Sequence, residues 1–110
     1  MKAGRLLADL PARALPEELV DILLERPGMR IERIVSTGQA TPVGEWYDQE
    51  TDEFVLLVAG AARLRIAGEA EDRAIEEGGW VFLPAHCRHR VTWTREDPPT
   101  VWLALHLGDG

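Results

Sequence analysis

The stretch EGGWVFLPAHCRHRVTW, Glu77 to Trp93, decides how the chain folds. The pair Gly78-Gly79 precedes the apolar run Trp80 to Leu83, Pro84 breaks that run, and two of the chain's three histidines, His86 and His89, follow. Glycine and proline at this spacing punctuate short extended segments. The stretch therefore reads as two strands, Trp80 to Leu83 and Arg88 to Thr94, joined across Pro84-Ala85. Gly78, five residues, Pro84, and His89 five positions further on make a pattern that chance seldom supplies.

Working outward, the same kind of segment recurs. Glu53 to Ala59, EFVLLVA, is a nearly continuous apolar run, as expected of a strand buried on both faces. Gly60-Ala61 turns it into Ala62 to Ile66, where Leu64 and Ile66 face inward and Arg63 and Arg65 outward. Gly68 to Asp72 is a polar turn into Arg73 to Ile75, and Glu96 to Pro99 leads into Thr100 to Leu107. Upstream, Met29 to Val35 alternates Met29 and Ile31 with Arg30 and Glu32, which suits a half-buried strand. Thr41 to Tyr47 holds Pro42 and Gly44, the mark of an irregular or edge strand, and Asp48 to Asp52 is a polar loop. Seven or eight short strands at this spacing predict an all-β sandwich or barrel.

The N-terminal part reads differently. Residues 1–14 show no settled period and form an arm, whereas Pro16 to Arg26 carries Leu19, Ile22 and Leu23 on one helical stripe behind Glu17 and Glu18. A short amphipathic helix that ends at Pro27-Gly28 is expected there. The division is thus an arm and helix over 1–28, one β-domain over 29–107 and a tail over 108–110.

Composition narrows the partners. At 110 residues, 45% hydrophobic and 28% charged, the chain suits one soluble domain with its own core. A formal charge of -7 repels phosphate backbones and anionic headgroups, so neither nucleic acid nor a membrane surface is an expected partner. With Cys87 the only cysteine, an intrachain disulfide and a multi-thiolate zinc site are both ruled out, and a reducing, cytoplasmic setting fits. Exposed barrel edges are commonly protected by pairing, which makes a homodimer the expected assembly.

The spacings resemble those of the cupins, small β-barrel proteins with a first motif G-x5-H-x-H-x3 or 4-E-x6-G and a second motif G-x5-P-x-G-x2-H-x3-N. Glu53 and Gly60, six residues apart in between, match the end of the first motif; Gly78, Pro84 and His89 match the second, with His86 in place of its glycine and Trp93 in place of its asparagine. The resemblance covers roughly Met29 to Leu107 and implies a jelly-roll barrel. It also implies a single divalent ion, Fe, Mn or Zn, held inside the barrel by the motif histidines and the glutamate.

Here the first motif departs from the pattern, because no histidine precedes Glu53. Four intervening residues put Trp46 and Asp48 in the two histidine slots; three put Tyr47 and Gln49 there. Asp48 or Gln49 with Glu53 and His89 would suit a hard ion with open positions. Trp102, Ala104 and His106 share one strand face, so His106 is a further candidate facing the cavity, and His106 or Tyr47 is the candidate for moving a proton. Trp46, Trp93 and Trp102 are expected as pocket walls, with His86 at the rim. Two functions follow as expectations. One is metal-assisted oxygenation, isomerisation or decarboxylation of a small organic ligand. The other is metal-free binding of a small molecule, toward which the missing histidines point.

Overall fold

The computed structural model describes residues 1–108; the remainder of the expected tail, 109–110, lies outside the described residues. Eight strands follow in order: β1 Leu19–Arg26, β2 Met29–Ser36, β3 Asp52–Ala59, β4 Ala61–Ile66, β5 Arg73–Glu76, β6 Trp80–Leu83, β7 His89–Thr94 and β8 Thr100–Leu107. They form two antiparallel sheets, a larger one ordered β1-β2-β8-β3-β6 and a smaller one ordered β5-β4-β7. The core lies between them, where Val55, Leu57, Ala62, Leu64, Ile75, Leu83 and Trp102 pack together. The all-β expectation and the strands from Met29 onward are therefore as observed, except that Thr41 to Tyr47, expected as an irregular or edge strand, is a loop that pairs with the sheet as an isolated bridge, Tyr47–His89.

The expected helix is not. Leu19–Arg26 is an edge strand paired with β2 from Leu19↔Val35 to Arg26↔Met29, and Pro27-Gly28 is the turn of that hairpin. Gly28 has φ 75, which the third position of a proline-led tight turn demands. The leucine and isoleucine spacing in LVDILLER satisfies a helical stripe and a strand almost equally, and pairing with β2 decides between them. A bulge between Ile22 and Leu24 reconciles the apolar residues with a strand, and bends an edge that would otherwise offer a straight row of free backbone groups.

The arm is held on the outer face of the larger sheet by Arg33. Its guanidinium donates to Asp21 Oδ2 at 2.7 and 3.0 Å and to the carbonyls of Leu6 and Ala8 at 3.0 and 2.6 Å. Further along, Leu15 N donates to Thr37 Oγ1 and Gln39 Nε2 to the Leu15 carbonyl. On the same outer face Phe54 stacks on Trp80 at 5.3 Å, and Trp80 is 61% exposed. Strand β3 is thus buried through Val55 and Leu57 on its inner side only; Phe54 and Leu56 on its outer side are half-buried, a correction to the expectation of two covered faces.

Candidate functional site

Strand register brings the site together from the inner face of the larger sheet. Arg30, His106, Glu53 and Leu83 stand in one cross-strand row, and Glu32 and Ala104 in the next. Tyr47 reaches the same place from the loop before β3, because its N–H donates to the His89 carbonyl at 2.7 Å and its carbonyl accepts from His89 N at 3.1 Å. Between the sheets lies a cavity of about 270 Å³. Its walls are Ile34, Val55, Leu64, Val91 and Trp102, while Glu32, Glu53, His89 and His106 form its floor. Glu18, Arg30, Tyr47 and Gln49 also border it.

Hydrogen bonds assign the ring hydrogens of both floor histidines. His89 Nδ1 is 2.8 Å from the Cys87 carbonyl, which can only accept, so Nδ1 carries a hydrogen and, whenever the ring is neutral, Nε2 is the acceptor. His106 Nε2 is 2.8 Å from Glu32 Oε1, so that nitrogen is the donor. Arg30 Nε stands 3.1 Å from Glu32 Oε2 but is misaligned for a hydrogen bond, so the contact counts as charge pairing alone. Beneath the exposed Glu18, the buried Trp102 Nε1 donates to Ser36 Oγ at 3.2 Å and Ser36 donates onward to Glu18.

Glu53 is the exception to this pairing. Its side chain is 9% exposed, yet the nearest imidazole nitrogens, His106 Nε2 at 3.6 Å and His89 Nε2 at 3.8 Å, are beyond hydrogen-bond reach. Among the described residues its carboxylate has no hydrogen bond. Burial pushes the Glu53 carboxyl above its ordinary value of 4.5, and the imidazoles of His106 and His89 offset this only in part. Burial, and then the Glu18 carboxylate, likewise push the Tyr47 phenol up, keeping it a donor at neutral pH.

A stability test follows from the Glu53 shift. A carboxyl raised by folding binds its proton more tightly in the folded chain, so stability is highest below 4.5 and is lost as pH rises through the folded value. Glu53→Gln has no charge to bury. Urea denaturation is expected to find it equal to the wild type near about pH 4 and more stable by about 1–3 kcal/mol near about pH 8. A difference that does not widen with pH would contradict the burial of a charge-prone carboxyl.

Of the residues singled out from sequence, Glu53, His89, His106, Tyr47, Gln49 and Trp102 meet at the cavity. The other four lie outside it. Asp48 faces the surface and accepts from His86 Nδ1 at 2.8 Å. His86 sits in a turn with φ 63, so it has kept the left-handed backbone of the glycine it replaces, and its side chain is 66% exposed. Trp46 lies under the guanidinium groups of Arg88 and Arg90, and Trp93 under that of Arg63. Glu32, Arg30 and Glu18 also border the cavity but were not among the candidate site residues. In MRIERIV both parities end in an aliphatic residue, Ile34 or Val35, so alternation alone does not say that Arg30 and Glu32 are the inward pair.

The donor set can be tested against the divalent ion that the motif resemblance implies. Asp48 points away, His106 Nε2 holds its hydrogen toward Glu32, and among the described residues no group of three or more His, Cys, Asp or Glu side chains is disposed to hold a metal ion. His89 Nε2 and the Glu53 carboxylate remain, fewer than the three protein ligands usual at a catalytic centre. The residues present do not fit a resident ion.

Two antiparallel sheets closing on an interior cavity, with the Gly78, Pro84 and His89 spacing in the turns and strand beside it, give the chain the fold of the small cupins. It is similar over its full length, and that of the other chain, to a Ralstonia eutropha JMP134 protein that carries the provisional name mannose-6-phosphate isomerase, at 49% identity and TM-score 0.94. A cupin superfamily protein from Desulfitobacterium hafniense DCB-2 shares the fold at 17% identity, with 99% of this chain and 94% of that one covered and TM-score 0.77. An RmlC-like cupin with a double-stranded β-helix fold from Methanocaldococcus jannaschii does so at 16% identity, 98% and 91% coverage and TM-score 0.73. No protein-family profile and no curated protein matches the chain.

Proposed function

We propose that this cupin binds one small, partly apolar organic molecule in its interior cavity and works without a resident metal ion. The observation that carries this is Glu53, a carboxylate on a largely buried side chain that takes no hydrogen bond from a described residue and opens onto a cavity with aliphatic walls. Leaving such a group unmatched costs stability, and binding sites are where that cost is repaid by a ligand. At about 270 Å³ the cavity is at the small end of ligand pockets.

The relative's name would suggest a sugar phosphate, and the charge balance of the cavity argues against one. Glu18, Glu32 and Glu53 border it, and its single guanidinium, Arg30, is already paired with Glu32. A phosphate dianion would meet carboxylates without a free cation.

Metal analysis of protein purified without a histidine tag, joined to NMR screening of small aromatic and aliphatic fragments, tests the proposal. Sub-stoichiometric metal is expected, together with fragment-induced shifts of the Trp102 indole N–H and none at Trp80 or Trp93. One equivalent of metal that disappears in Glu53→Ala would overturn the metal-free site. Fragments that leave Trp102 unmoved would overturn the cavity as the binding place.

A further inference from the structure

The hydrogen bonds at the cavity floor say more than that something binds: they specify what its polar end must offer. In its neutral form His89 presents Nε2 as a lone pair, because the N–H of that form is given to the Cys87 carbonyl. His106 gives its Nε2 hydrogen to Glu32. Glu53 offers two oxygens with no hydrogen bond to either, on a side chain more than nine-tenths buried and bordering the cavity. The floor is thus rich in acceptors, and its histidine donors are already used.

Three ligand chemistries can be compared against that floor. A carboxylate or phosphate brings acceptors alone, and its negative charge would stand against those of Glu18, Glu32 and Glu53. An alcohol brings one donor and two lone pairs, so at most one of the waiting acceptors is matched. An ammonium brings three donors, no lone pair and a positive charge, which answers Glu53 Oε1, Oε2 and His89 Nε2 together. The rest of the lining agrees. Glu18 stands at the entrance, Arg30 is neutralised by Glu32, and the Tyr47 ring, stacked on His89 at 5.4 Å, supplies an aromatic face beside the path inward.

We infer that the ligand is a small organic cation, a protonated primary amine on an apolar body, with the ammonium on Glu53 and His89 and the body against Ile34, Val55, Leu64 and Trp102. This rests on the cavity being a ligand site, as proposed above. The acidic character of the floor supports it only jointly with the unmatched Glu53 carboxylate; several nearby carboxylates alone would say nothing.

Benzylamine, benzyl alcohol and benzoate share one ring and differ in the head group, so they separate this inference from the one beneath it. Calorimetry and NMR on the full chain are expected to rank benzylamine about tenfold above benzyl alcohol, with benzoate undetected. Glu53→Gln, which preserves shape, is expected to bring benzylamine down to the level of the alcohol and to leave the alcohol within about twofold. Glu18→Gln, at the entrance and outside the core, is expected to weaken the amine by about threefold and the alcohol not at all. Benzyl alcohol binding as tightly as benzylamine, or an amine advantage that survives Glu53→Gln, would overturn the cation while leaving the cavity a ligand site. No binding by any of the three at millimolar concentration would overturn both.

Discussion

Gly60→Ala is expected to destabilise the protein by about 4 kcal/mol, a large part of the reserve of a domain this size. Gly60 alone joins β3 in the larger sheet to β4 in the smaller, with φ 102, a backbone conformation that side chains rarely tolerate. A Cβ there would lie 2.7 Å from Thr100 Cα and 2.9 Å from Thr100 Cβ. Thr100 cannot retreat. It is fully buried at the start of β8, and its hydroxyl donates to the Arg95 carbonyl at 2.8 Å, with that of Ala61 at 3.2 Å. Gly78→Ala is the control, since φ there is 83 but nothing lies within 4 Å of the added carbon. Backbone strain alone should cost it about 1–2 kcal/mol. Equal losses in chemical denaturation would show that the contact with Thr100 is not what forbids a side chain at Gly60.

That pair also shows why the fold was legible in the sequence. Gly60, Gly78 and Pro84 act through their own backbones, so their meaning survives without knowledge of what surrounds them. The strands observed from Met29 to Leu107 followed from the same local punctuation, whereas Thr41 to Tyr47, expected as an irregular or edge strand, is a loop. Leu19–Arg26 was misjudged because the deciding partner, β2, lies across a turn, and the apolar spacing of LVDILLER allows either structure.

The site was legible where strand parity reaches it and obscure elsewhere. His106, Trp102, Glu53 and His89, singled out by alternation or motif spacing, all border the cavity. Between Trp46 and Glu53 the chain is a loop, where parity has no meaning, and spacing alone left Trp46 with Asp48 or Tyr47 with Gln49 equally open. In the folded chain Tyr47 and Gln49 border the cavity, while Trp46 lies under Arg88 and Arg90 and Asp48 faces the surface. Glu32 was hidden for a different reason: a charged residue in a half-buried strand is ordinarily assigned to the solvent side.

Glu32 should also give the largest effect within the site. Glu32→Ala is expected to cost about 3–5 kcal/mol, because it strands His106, whose side chain is 12% exposed, beside Glu53 and removes the charge paired with Arg30. Replacing both members of the Glu32–His106 pair by leucine should recover most of that loss, since well-packed apolar groups commonly replace a buried ionic pair at little cost. Denaturation of the single and double variants, read beside benzylamine binding, tells what the pair is for. Recovered stability with lost amine binding would mean that the barrel keeps a costly polar floor for its ligand, Glu32 holding His106 so that Glu53 stays free. Stability that stays low in the double variant would make the pair part of the fold instead, and the freedom of Glu53 a by-product of it.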